Sequence, residues 1–128
     1  MAFIAKIAPI EMVVGQNIRI DERTMYGGSQ ILVGERIFIW TSERQGGQGL
    51  AAAGRVINLE NTGSRVTADI VVEASVLRPL GLTEIAPFRD IADGLPVSEL
   101  ARMLFRHAHN KVAMLDQQTT TFLETHFH

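Results

Sequence analysis

The one tryptophan of the chain, Trp40, stands at the end of an apolar run, two residues before Ser42 and just ahead of Gly46-Gly47-Gln48-Gly49. An aromatic face in such a place suits a pocket wall, and a nucleobase stacked on it gains about 1–3 kcal/mol with little demand on base identity. Thr41 and Ser42 add hydroxyl groups, Arg44 adds a guanidinium, and Gly49 and Ala51 open a strand of small residues that leaves space beside the ring. With Tyr26, the only tyrosine, these are the ligand-binding candidates. The glycine-rich segment can turn backbone N–H groups toward a phosphate, but no Gly-Lys-Ser/Thr follows, so it is not a P-loop. Arg106, Asn110 and Lys111 form a second polar cluster, read as a phosphate rim.

Two His-x-His pairs, His107/His109 and His126/His128, invite a metal reading. Side chains two apart on a helix do not face each other, and the chain has no cysteine, so no metal site is expected. A histidine at a helix C-terminus is also stabilised by the helix dipole. Catalysis finds no local support. There is no Gly-x-Ser-x-Gly and no His-Glu-x-x-His, and Asp90 and Asp93 flank Gly94-Leu95-Pro96 as turn residues. No catalytic residue and no cofactor are expected.

The elements that position these residues follow from the totals and the periodicity. The 128 residues, 46% apolar and 20% charged, make one domain with one core (1–128). A formal charge of −2 argues against a grip on long nucleic acid, which requires many phosphates to be neutralised. No apolar run approaches the roughly 20 residues of a membrane span, and the start lacks a signal-peptide pattern; a cytoplasmic protein without membrane contact is expected.

Phe3 to Ile7 reads as a short strand, and Met12-Val13-Val14 and Ile18-Arg19-Ile20 as further extended segments. Asp21 to Gln30 is a polar connection carrying Tyr26-Gly27-Gly28. In the strand ending at Trp40, Arg36, Phe38, Trp40 and Ser42 point to one side and Ile37, Ile39 and Thr41 to the other, so both faces are covered. Leu50 to Leu59 returns antiparallel. Val66, Ala68, Ile70 and Val72 mark a half-buried strand, and Pro79 ends the sheet. Ser98 is read as the N-cap of a helix bearing Leu100, Met103, Leu104 and Ala108, and Asp116 as the cap of a second bearing Phe122, Leu123 and Phe127. Two helices close the chain.

Gly34-Glu35-Arg36-Ile37-Phe38-Ile39-Trp40-Thr41-Ser42 resembles the glycine, acidic residue, alternating apolars, aromatic, x, serine element of EVE domains, members of the PUA-like superfamily. Gly49-Leu50-Ala51-Ala52-Ala53-Gly54-Arg55-Val56 is similar to the strand that follows it there, and Arg78-Pro79-Leu80 sits where such domains leave the barrel. The resemblance implies an α+β fold: a small, bent mixed β-barrel of five to seven strands with helices at its rim. It also implies a pocket that accepts a modified base from DNA or RNA, with Trp40 and Ser42 at pocket positions. The family's opening strand usually bears a tryptophan, which Phe3 to Ile7 lacks, leaving Tyr26 or Phe38 as the second wall. The leading expectation is a nucleic-acid-associated binding module. The alternatives are a protein interaction module, with homodimerisation through the glycine-rich loop and terminal helices, and a small-molecule enzyme with its pocket in the same place.

Overall fold

A computed structural model describes residues 1–105 and 109–128. Six strands form one mixed sheet in the order β2-β5-β4-β3-β1-β6: β1 (Ala2–Ile7), β2 (Asn17–Arg23), β3 (Arg36–Thr41), β4 (Gly49–Asn61), β5 (Arg65–Ser75) and β6 (Lys111–Leu115). β1 and β3 are parallel and the other neighbours antiparallel. The two edges meet. Thr24 bridges Val112, the Met25 N–H donates to Val112 O, and the Met114 N–H donates to Tyr26 O. The sheet is thereby bent into a barrel. Gly28 makes the closure possible, because a Cβ there would lie 1.9 Å from the Val112 oxygen.

The period-two alternation of β3 splits its side chains between two apolar cores. Ile37 and Ile39 enter the barrel interior with Phe3, Ala5, Ile7, Ile20, Ile70 and Val72. Phe38 and Trp40 face outward, under the helices α1 (Leu82–Ile85), α2 (Pro96–Phe105) and α3 (Gln117–Glu124). Leu100, Ala101, Met103 and Leu104 of α2, with Leu123 and Phe127, complete that second core. Arg36 fastens α3 to the sheet, its guanidinium pairing with Glu124 at 2.8 Å and with Glu73 at 2.9 Å.

Several elements differ from expectation. Met12-Val13-Val14 lies in a loop, with Val13 and Val14 exposed, and the chain joins the sheet only after it, where the Gly15 N–H donates to Val72 O. Strand β2 continues to Arg23, shortening the polar connection. α2 begins at Pro96, whose fixed φ suits the first helical position, so Ser98 lies inside the helix rather than capping it. Asp116 does cap α3, accepting from the Thr119 N–H at 2.7 Å. The two C-terminal helices are present, but β6 runs between them. Among the described residues no helix is long and apolar enough to cross a membrane.

Candidate functional site

The β3–β4 hairpin is where the sequence placed most candidates, and the structure packs it tightly. Trp40 has no exposed surface. Its indole N–H donates to Glu43 Oε1 at 3.0 Å, and the other Glu43 oxygen accepts from the Leu82 N–H at 2.6 Å. One carboxylate therefore ties the tryptophan to the start of α1. Thr41 is buried, its hydroxyl accepting from the Gln48 N–H and donating to Gly49 O. Ser42 is also buried, its N–H donating to Ile7 O and its carbonyl accepting from the Gly47 N–H. Gly49 and Ala51 are buried strand residues of β4, and Ala51 accepts from the Val76 N–H. Arg44 is exposed at the turn. Trp40 thus packs as a core side chain, and the ligand-sized spaces described below are lined by other residues.

At the same end of the sheet Lys111, expected in the phosphate rim, meets Lys6, which the sequence did not single out. Lys6 of β1 stands opposite Trp40 on one side and opposite Lys111 of β6 on the other. Residues paired across strands share a face, so Trp40, Lys6 and Lys111 form one row beneath α2. Both lysines are 1% exposed. Burial, and next to it the charge of Arg44, pulls Lys6 below the ordinary lysine range, while Glu43 acts in the opposite direction. Burial, followed by the Lys6 charge, pulls Lys111 down to about 8. The Lys111 ammonium donates to Met103 O of α2. Asn110, next in the chain, donates from its amide to Gln45 Oε1 at 3.0 Å. Lys111, Asn110 and Arg44 are brought to one end; Arg106 and His107 lie outside the described residues. The signal for Lys6 was available: the chain has only two lysines, and one stands between Ala5 and Ile7 in an otherwise apolar strand.

Tyr26 belongs to a different place. It is the one non-glycine residue with positive φ among the described residues, at 50°, a conformation that costs a bulky side chain energy and persists only where its surroundings enforce it. The bonds from Met25 and Met114 that close the barrel enforce it here. The half-buried ring packs on the outer core and carries the Arg102 guanidinium 4.9 Å from its centroid. Glu99 holds that guanidinium through two hydrogen bonds, of 2.6 and 3.2 Å. Beside this stack is a cavity of about 250 Å³, walled by Tyr26, Met1, Met103 and Met114, with Glu99, Arg102 and Asp116 among its polar groups. Across Arg102 a second cavity of about 330 Å³ adjoins Arg89, Asp90 and Ser98. A depression of about 270 Å³ between Arg19, Asn58 and Asp69 has no aromatic wall, and Arg19 and Asp69 there satisfy one another at 2.8 Å.

Among the described residues no three histidine or acidic side chains converge as a metal site. His126 Nδ1 lies 3.1 Å from Phe122 O, and His128 lies 3.4 Å from Glu124, so the last pair is engaged with its own helix.

The crystal structure of the human THYN1 protein in complex with 5-methylcytosine-containing DNA superposes with a TM-score of 0.70, covering 98% of this chain and 96% of that one at 15% identity. The DUF55 domain of human thymocyte nuclear protein 1 gives the same score and identity over 98% and 97%. The chain shares the fold of these two structures, an α+β arrangement of a bent mixed sheet with helices such as the resemblance in sequence implied. The NMR structure of Rpa0253 from Rhodopseudomonas palustris matches with a TM-score of 0.50 at 15% identity over 78% of this chain and 66% of that one. No protein-family model and no curated protein matches the sequence.

Proposed function

We propose that this EVE-type chain is a nucleic-acid-associated binding module that accepts a base, or a similarly flat ligand, in the cavity at Tyr26. The observation that carries the reading is the tyrosine itself: an aromatic ring held in a strained backbone conformation at the wall of a 250 Å³ cavity. Strain of this kind clusters at ligand sites, held by surroundings that over-determine it. The walls fit the ligand. Thioethers make favourable contacts with aromatic rings and adapt to an added methyl group, while Glu99 and Asp116 offer acceptors to exocyclic amino groups. Arg102 covers the ring face, so a base stacks there by taking the place of the guanidinium. The likeness to a fold seen with 5-methylcytosine DNA supports the same reading. In it Tyr26 supplies the aromatic wall that the sequence assigned to Trp40.

The test uses nucleosides, which carry no phosphate. Cytidine, 5-methylcytidine and adenosine are titrated against protein labelled at the methionine methyl groups, and the Met103 and Met114 signals are followed. Saturable shifts that disappear in Tyr26→Asn support the reading, since asparagine tolerates positive φ and removes the ring. Unmoved signals at millimolar nucleoside overturn it. A stable dimer that buries the cavity, seen as mass rising with concentration, favours the interaction-module alternative.

A further inference from the structure

We propose that Arg102 gates the Tyr26 cavity: its guanidinium lies on the ring as a built-in ligand, and an entering base drives it into the second cavity while its pair with Glu99 stays intact. This deepens the base reading above and rests on it. The starting point is how the arginine is held. Arg102 and Glu99 stand three residues apart on α2, and both guanidinium hydrogen bonds, of 3.2 and 2.6 Å, end on Glu99 Oε2. A pair at this spacing belongs to its own helix; it fixes the guanidinium to α2 and not to the strap that carries Tyr26. What joins arginine to tyrosine is stacking, 4.9 Å from the ring centroid, by a side chain that is 40% exposed. Arg36 shows the contrast. Carboxylates from two elements, Glu73 and Glu124, hold its guanidinium, and it clamps α3 to the sheet.

Magnitudes decide which occupant wins the ring. A cation over a partly exposed aromatic face is worth about two- to fivefold in an equilibrium constant, whereas a base stacked on such a face is worth about five- to a hundredfold. The guanidinium therefore yields to a base and holds against a ligand with no flat face to offer. It also has somewhere to go. Arg102 and Glu99 line both the cavity of about 250 Å³ and the adjoining one of about 330 Å³, so the side chain turns from one to the other about a carboxylate that borders each. Asp90 waits there as a second carboxylate, 87% exposed and 3.8 Å from Arg89. The Arg89 charge in the same cavity explains why the guanidinium rests on the ring until a ligand claims it: like charges repel, and the closed position keeps them apart.

The experiment uses nucleosides, whose lack of charge removes any electrostatic gain from deleting an arginine. 5-Methylcytidine is titrated into the full chain and into Arg102→Ala, with ribose as the control, and binding is followed at the Met114 methyl group. Arg102→Ala is expected to tighten nucleoside binding about two- to fivefold, the factor by which the closed state taxes the wild type. In wild-type protein labelled at arginine, the Arg102 Nε–H signal should move at saturation toward its position in Tyr26→Asn, where no ring shifts it, and the Arg89 signal should move with it. Nucleoside affinity that is unchanged or weakened in a cooperatively melting Arg102→Ala overturns the gate and leaves the base reading standing. An Arg102 signal that stays put in the saturated wild type does the same, and a still Arg89 signal overturns the second cavity as its destination. Failure of the nucleoside to bind either protein overturns the base reading, and the gate with it.

Discussion

Replacing Lys111 with methionine probes the energetics of the buried pair directly. The side chain is 1% exposed, and its pKa falls from 10.5 to about 8. The folded chain therefore gives up this proton at lower pH than the unfolded chain. Between pH 8 and 10.5 the unfolded state holds more protons, so stability rises with pH across that window. Below it the ammonium is charged in both states and the full penalty is present. At about 1.4 kcal/mol for each tenfold change, the rise should amount to roughly 3 kcal/mol. Lys6, lowered for the same leading reason, adds to it with the same sign. Methionine matches the stem in shape and carries no charge, so Lys111→Met should lack the Lys111 share of the rise. At neutral pH the variant gains what the charge cost, offset by about 1.5–3 kcal/mol for the lost charged hydrogen bond to Met103 O. The assay is urea unfolding at a series of pH values, with Trp40 emission as the probe. A wild-type stability that stays flat from pH 8 to 10.5, or a variant that keeps the whole rise, refutes the reasoning.

Three further substitutions test the frame around the cavity and the buried pair. Gly28→Ala puts a methyl group into the Val112 carbonyl and should cost roughly 3 kcal/mol or more; an unchanged urea midpoint would show that the strap yields. Glu43→Ala leaves the buried Trp40 indole N–H without its acceptor and should cost about 1–3 kcal/mol, with a change in Trp40 emission to match; unchanged emission and stability would show that the carboxylate is dispensable. Asp116→Ala removes the α3 cap and should lower stability by about 1 kcal/mol, read as a drop in melting temperature; an unchanged melting temperature would mean that packing of Leu123 and Phe127 alone sets the start of the helix.

What could be read from the sequence depended on how local the physics was. Strand β5 alternates because one face lies on the barrel core and the other nearer solvent, and Asp116 advertises its helix by a side chain that reaches three residues ahead. β6 carries no such mark. Lys111-Val112-Ala113-Met114-Leu115 is covered on both faces, so its period is lost, and a short apolar run between two helices is ambiguous. The helix start at Ser98 was misplaced by three residues because Pro96 starts the helix without needing a side-chain cap. The site was harder still. The cavity at Tyr26 is assembled from the residue itself, from α2 at Glu99 and Arg102, from β6 at Met114 and from the α3 cap at Asp116, and no spacing along the chain announces that convergence. Trp40 drew attention by its type, yet type does not reveal that three helices would cover its face of β3.

The strap from Thr24 to Gly28 does two things that are usually assigned to separate parts of a protein. It is the clasp by which the last strand of the sheet meets the second, and it is the mount for the tyrosine ring. Were the clasp to loosen, Tyr26 would lose the bonds that hold its backbone at positive φ, and the cavity wall would dissolve with the seam. Amide protons along Met25, Val112 and Met114 should therefore exchange with solvent as one unit, and a ligand seated on the ring should slow that exchange at the far side of the barrel's closure, acting as a rivet through a joint it does not span.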